Sequence, residues 1–245
     1  MYALEFDLDP SPLSYVSVPC IWVGWLLWLR RKPVSYETAR KYFSALKSQV
    51  ESFGVDLPFY QMPILCSLRK AWRRLKRDQK KKVPITQEQV DRVFGNPEFD
   101  LVFGAIVRFG FETLARIAEI HAIRWSDITF FAEYVLFRLQ RSKTDPFGER
   151  NQTLTISRSS WEAISSVIPP CESPRSRIFP FDASKFRKWI SVTLSGGITG
   201  HSLRRGGAQR MWDQGFSEQA IMEKGRWRSN AWLRYVDRSA RQIIL

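Results

Sequence analysis

Toward the C-terminal end of the chain, His201-Ser-Leu-Arg204-Arg-Gly-Gly207 is followed by Gly225-Arg-Trp227 and then by Arg234-Tyr235. An imidazole and a guanidinium three residues apart project from one face of a helix. The planar fork of an arginine there can bind two phosphate oxygens at once, which a lysine's point charge cannot do. A lone His-x-x-Arg is common on helix surfaces. Here it comes with a Gly-rich entry, a downstream Trp and a Tyr eight residues beyond that Trp. The chemistry this points to is the handling of a phosphate. No GxxxxGK[ST] loop accompanies it, so an ATP-driven reaction is not expected. With two histidines, three scattered cysteines (Cys20, Cys66, Cys171) and no CxxC, a zinc site is not expected either. Three such cysteines suit a reducing compartment.

A polyanionic partner also fits the composition. The 245 residues hold 38 Lys+Arg against 24 Asp+Glu, a formal net charge of +14. Charge of this sign favours nucleic acid over other partners and says nothing about fold. Hydrophobic residues reach 44%, enough to bury a core, which excludes a disordered basic tail. The apolar run from Val18 to Leu29 is shorter than the roughly 20 residues a membrane span needs, so Trp22, Trp25 and Trp28 read as part of a buried helix.

The charge is concentrated. Arg69, Lys70, Arg73, Arg74, Lys76, Arg77, Lys80, Lys81 and Lys82 fall within fourteen residues, with Asp78 the one acid among them. Directly after this stretch, Thr86 and Gln89 form a capping-box signature. A boundary near residue 82 therefore divides an N-terminal domain, 1–82, from a second, 83–245. In the first, Ser35 caps a helix carrying Ala39, Tyr42, Phe43, Leu46 and Val50 at three-four spacing, ended by Gly54, and another helix runs from Pro63 into the basic stretch. In the second, helical patterns cover about 86–94, 98–112, 116–123, 159–168 and 182–194. Residues 134–139 and 153–156 read as strands joined through Arg141-Ser-Lys-Thr-Asp-Pro-Phe-Gly148. Ser217 caps a short helix closed by Gly225, and a last helix runs from about Ser229. The fold class is mainly α, with a small antiparallel sheet in the second domain.

In this order the chain resembles the tyrosine recombinase family, DNA-breaking enzymes with a tyrosine nucleophile. Arg116 in Leu114-Ala-Arg-Ile-Ala-Glu119 is similar to the family's first arginine box, Lys143 lies where the family carries a hairpin lysine, and His201 with Arg204 matches the second box. Trp227 fills the family's His/Trp slot and Tyr235 the nucleophile's. The resemblance covers about residues 84–238; the N-terminal helices resemble the core-binding domain less specifically. Ser142-Lys-Thr-Asp-Pro-Phe147 and Gly225-Arg-Trp-Arg-Ser229 look like the recombinases of eukaryotic mobile elements, the crypton and DIRS-like groups.

The resemblance implies a C-shaped clamp on double-stranded DNA, a 3′-phosphotyrosyl intermediate and a reaction without metal or ATP. Arg116 and Arg204 would neutralise the phosphate, Lys143 would protonate the leaving oxygen, and His201 would assist proton transfer. Trp227 would pack the tyrosine's segment, and Glu119 would orient its neighbours from behind. The basic stretch and Arg205 would contact DNA. It further implies four subunits in the synaptic complex, a dimer or monomer when free, no membrane, and a nuclear location if a eukaryotic element encodes the chain, or otherwise the cytoplasm or nucleoid. Three relatives in chemistry or fold stay open: a type IB topoisomerase, a telomere resolvase, and a catalytically silent DNA-binding regulator. Taken singly, Arg116 is an ordinary solvated or salt-bridged arginine, Lys143 a hairpin lysine and Tyr235 a core tyrosine. His121 matches no box and reads as structural, and Trp189 as core.

Overall fold

A computed structural model describes residues 19–52, 63–75, 83–141, 145, 147–194 and 196–239. The chain forms two compact units, Met1–Lys80 and Lys81–Leu245. Lys76, Arg77, Lys80, Lys81 and Lys82 lie outside the described residues, as do Lys143 and Gly54.

The first unit is helical: α1 (Pro19–Arg31), α2 (Tyr36–Ser52) and α3 (Pro63–Leu75). Ser35 caps α2 as its sequence predicts, its hydroxyl accepting from the Thr38 N–H at 3.1 Å. Trp22, Leu26, Leu29, Ala39, Phe43, Leu65 and Trp72 make the core. Trp22 and Trp25 meet Phe43 at 5.5 and 5.8 Å, and Tyr36 meets Trp72 edge-on at 5.8 Å. At the edge of this core Arg69 lies 5.3 Å over the Phe43 ring, while Lys70 on the next position is exposed.

The second unit begins with α4 (Gln87–Val93), opened by the predicted capping box: Thr86 N–H donates to Gln89 Oε1 at 3.0 Å and Gln89 N–H to Thr86 Oγ1 at 3.3 Å. Helix α5 (Leu101–Thr113) runs through the centre of this unit, burying Ala105, Ile106, Val107, Phe109 and Phe111. Then come α6 (Ile117–Ala122), strands β1 (Ile128–Phe130), β2 (Tyr134–Arg138) and β3 (Thr153–Ser157), and helices α7 (Arg158–Ser165) and α8 (Ala183–Thr193). The sheet is antiparallel in the order β1-β2-β3. Val135 opposes Ile156 and Phe137 opposes Leu154, so alternate residues of β2 and β3 face the core. Phe109 of α5 meets Phe137 edge-on at 5.0 Å and Phe179 at 5.1 Å, joining sheet and helices in one core.

Helix α9 (Gly200–Asp213) packs against α5 at backbone range. A Cβ on Gly206 would lie 2.0 Å from Ile85 O, and one on Gly207 2.0 Å from Phe111 O. The paired glycines of the motif are thus required by close approach of two backbones. Helix α10 (Glu218–Gly225) follows, capped by Ser217 through the Ala220 N–H at 3.1 Å.

The structure differs from the sequence expectation in three places. Strand β1 is additional, a three-residue edge too short to carry a period. The last helix is a short 3₁₀ helix, Asn230–Arg234, closed by a bond from Tyr235 N–H to Trp232 O three residues back at 2.8 Å. At the end of α10 the left-handed residue is Arg226, at φ 57°, rather than Gly225. Gly225 serves packing instead: a Cβ there would lie 1.8 Å from Cζ3 of Trp227.

Candidate active site

The ends of α5 and α10, the start of α6, helix α9 and the closing 3₁₀ helix build the site. Helix α5 stops at Leu114, whose backbone is left-handed (φ 54°) although its side chain is fully buried. That turn delivers Arg116 to the N-cap of α6. Glu119, at the third position of α6, reaches back to accept the Arg116 backbone N–H at 2.8 Å and its Nη1 at 2.5 Å. The same carboxylate accepts Arg226 Nη2 at 2.7 Å. Glu119 is 3% exposed and therefore bridges two arginines in a dry setting. Burial, the largest influence, pushes its carboxyl up, but Arg226, the Arg116 N–H and the Arg116 guanidinium together bring it below the ordinary value.

Arg204 of α9 is fully buried. Its Nη1 donates to Leu114 O at 2.5 Å and its Nη2 to Gly225 O. Both carbonyls belong to helix C-terminal ends, where acceptors lack helical partners and carry the negative pole of the helix. The guanidinium thus caps α5 and α10 at once, which compensates its burial. Burial first, then the charges of Arg116 and Arg226, lower its pKa to about 9, so it stays charged at neutral pH. Its Nε has no partner.

The Trp227 ring lies 4.2 Å from the Arg204 guanidinium carbon and the Tyr235 ring 5.7 Å from it. Arg205 approaches Tyr235 at 5.7 Å, and the Trp227 and Tyr235 rings are 4.9 Å apart. Tyr235 is half-buried at the end of the 3₁₀ turn. His201, in the first turn of α9, is exposed, whereas Arg204 one turn later is buried. The Arg116–Glu119 pair, Arg204 and Tyr235, far apart in sequence, therefore meet in one cluster with Trp227.

Around Lys143 only part of the connecting loop is described. Asp145 is buried and accepts the Glu149 and Arg150 N–H groups at 3.1 and 3.0 Å. Gly148 takes φ 73°, and a Cβ there would strike Gln140 O at 2.2 Å. Lys224 fastens the far strand of the hairpin to α10, donating from Nζ to Thr155 O at 2.6 Å and to its hydroxyl at 3.1 Å. Burial lowers the pKa of that lysine. Of the basic stretch, Arg69 and Lys70 are described with their side chains, and Arg73 and Arg74 by backbone alone. His121 pairs with Arg177 at 2.9 Å and meets Phe181 edge-on at 5.1 Å, a structural role.

Sequence reasoning missed Arg226 and Lys224. Arg226 stands inside the quoted Gly-Arg-Trp motif, between the two residues to which roles were given; its ion pair with a residue 107 positions away leaves no local pattern.

Among the described residues no group of His, Cys, Asp and Glu could hold a metal ion, and no helix is long and apolar enough to cross a membrane. Cys171 is an exposed free thiol.

A mostly helical chain with this three-stranded antiparallel sheet has the fold of the tyrosine recombinases. The Tn1549 transposon integrase, solved with transposon right-end DNA, matches with a TM-score of 0.68 at 14% identity, over 99% of this chain and 89% of that one. The XerA recombinase matches at 0.52 and 15% identity, over 99% and 94%. The XerH site-specific recombinase, bound to its difH substrate before cleavage, matches at 0.50 and 10% identity, over 86% and 69%. No protein-family model and no curated protein matches the sequence.

Proposed function

We propose that the chain is a site-specific DNA recombinase that cuts and rejoins DNA through Tyr235. The observation that carries this reading is the meeting of the Tyr235 ring with a buried, charged Arg204, with Arg116 and Trp227 in the same cluster. The fold shared with an integrase and two recombinases supports it, as do the net positive charge and the resemblance of the motifs.

In the proposed step Tyr235 Oη attacks the phosphorus of a backbone phosphate. The bond to the 5′-oxygen breaks, leaving a 3′-phosphotyrosyl link, and the departing oxygen takes a proton from Lys143. His201 accepts the tyrosine's proton. Arg116 and Arg204 neutralise the charge that builds on the non-bridging oxygens. The reverse attack, by a 5′-hydroxyl on the phosphotyrosine, rejoins the strand. One phosphoester is exchanged for another, so no ATP is consumed. Glu119 holds Arg116 in place. For a phosphate to reach Arg204, the Trp227 and Tyr235 rings must first swing aside. The same reading takes a mobile genetic element as the source, four subunits as the acting assembly, and the nucleus as the site of action in a eukaryotic host.

The test is to incubate the protein with a pool of random-sequence duplexes, denature with detergent, and sequence the DNA that stays attached. Recovery of a defined site by the wild type and none by Tyr235→Phe is the expected result. Attachment that survives Tyr235→Phe sinks the nucleophile assignment. Binding without attachment makes the protein a regulator, and relaxation of supercoiled plasmid without sequence preference makes it a topoisomerase.

A further inference from the structure

Arg226 is the charged side chain of the cluster for which the motifs supplied no task. It is 8% exposed and ion-paired to Glu119, and Nη1 reaches Lys224 O at 3.4 Å. Three features distinguish it from a routine salt bridge. First, Glu119 is the acid paired with both Arg116 and Arg226, and Arg204 lies close enough for their charges to depress its pKa. Three guanidiniums around one carboxylate leave a net charge of two; the Leu114 and Gly225 carbonyls solvate Arg204 without neutralising it, and Arg116 stays 20% exposed. Such an arrangement is costly unless an anion completes it. Second, the Nε atoms of Arg204 and Arg226 are both buried without a hydrogen-bond partner. Buried donors of this kind are rare and call for an absent acceptor.

Third, the backbone of Arg226 is left-handed, at φ 57°. Trp227 N–H bonds to Met222 O at 2.9 Å and Arg226 N–H to Glu223 O at 3.0 Å, the hydrogen bonds of a helix end that normally takes glycine at this position. Glycine is present in the sequence one residue too early. An arginine keeps the strained position, and strain of this sort gathers at functional sites. Arg226 also lines an open cleft of about 470 Å³ with Arg150, Glu223, Trp227 and Arg228.

We propose that Arg226 is a third guanidinium of the phosphate pocket, sharing with Arg116 and Arg204 the neutralisation of the phosphate that Tyr235 attacks. In the free protein Glu119 occupies its Nη2. When a phosphate enters, the two uncompensated charges meet their anion and the orphaned Nε donors find acceptors. This rests on the recombinase reading, since it assigns a residue to that reaction.

The experiment uses a duplex recovered in the selection above, nicked so that the attached product accumulates. It is made in two forms: an ordinary scissile phosphate and a methylphosphonate, which has the same shape without the negative charge. On the ordinary duplex, Arg226→Ala lowers the rate of attachment on the order of 100-fold, as expected for losing one charge-stabilising donor. On the methylphosphonate the variant recovers to within about tenfold of the wild type, because little charge remains to neutralise. Arg226→Lys, which keeps the charge and loses the fork, lies between the two on the ordinary duplex and serves as the test if the alanine variant does not fold. A loss that the methylphosphonate does not relieve overturns the proposal and leaves Arg226 a structural ion-pair partner. An unchanged rate overturns it as well. If the wild type itself attaches to no duplex, the recombinase reading falls and this assignment falls with it.

Discussion

Trp227 roofs Arg204: the indole lies 4.2 Å from the guanidinium carbon of a side chain with no exposed surface. The two residues belong to separate segments, and the ring covers the cation that the proposed reaction needs. A cation over an aromatic face gains up to about 2 kcal/mol when desolvated. Trp227→Ala should therefore lower stability by about that amount, while Trp227→Phe should restore most of it. Thermal melting separates the two. If attachment to DNA recovers in the phenylalanine variant as fully as the melting temperature does, the ring's contribution is packing and its indole N–H has no task.

Gly225→Ala places a methyl group against the Trp227 ring, 1.8 Å from Cζ3, and that ring must shift. The expected outcome is a folded protein with displaced tryptophan emission and slowed attachment. Gly206→Ala differs, because its methyl would meet the backbone oxygen of Ile85 at 2.0 Å. Backbone cannot rotate away as a side chain can. Circular dichroism on heating should show Gly206→Ala markedly less stable than Gly225→Ala.

Glu119→Gln removes the carboxylate shared by Arg116 and Arg226. Breaking a buried ion pair from one side costs about 3–5 kcal/mol. The acid range gives a second readout. The Glu119 carboxyl sits below its ordinary value of 4.5 in the folded protein, so it binds a proton more readily when unfolded. Its stabilising contribution is complete above pH 4.5 and disappears as the pH falls through the lower, folded value. Melting temperature measured downward from pH 6 should fall more steeply for the wild type than for Glu119→Gln.

Lys70 is exposed and Arg69 beside it packs on Phe43. If both meet DNA phosphates, the double variant Arg69→Ala/Lys70→Ala flattens the plot of log K against log salt by about 0.9 for each phosphate no longer neutralised. Fluorescence anisotropy across a salt series measures it. An unchanged slope removes both from the interface.

Features set by near neighbours along the chain are legible in the sequence itself. Thr86 with Gln89, Ser35 and Ser217 announce helix starts because the donor and acceptor lie within three residues. His201 and Arg204, expected on one face of α9, are exposed and fully buried respectively. The placement of Arg116, Glu119 and Arg204 is open to recognition only as ordered boxes; their meeting depends on the turn at Leu114, where a buried leucine takes a left-handed backbone that no local signal reports. Arg226 stays hidden for the same reason, its partner being 107 residues away. Strand β1 is three residues long, too short for alternation to stand out. Lys143 and the residues after 239 lie outside the described residues.

The double grip of Arg204 also bears on how the site comes into being. Its guanidinium reaches back 90 residues to Leu114 and forward 21 to Gly225, so no short stretch of chain contains the pocket. A growing chain that has just passed residue 204 holds a charged side chain with one carbonyl to bind and no second. The pocket closes only when α10 has been made and has folded back onto α9, bringing Gly225 O to Arg204. Its appearance and the closure of the second unit are then a single cooperative event, and a product cut short before residue 225 has no pocket at all.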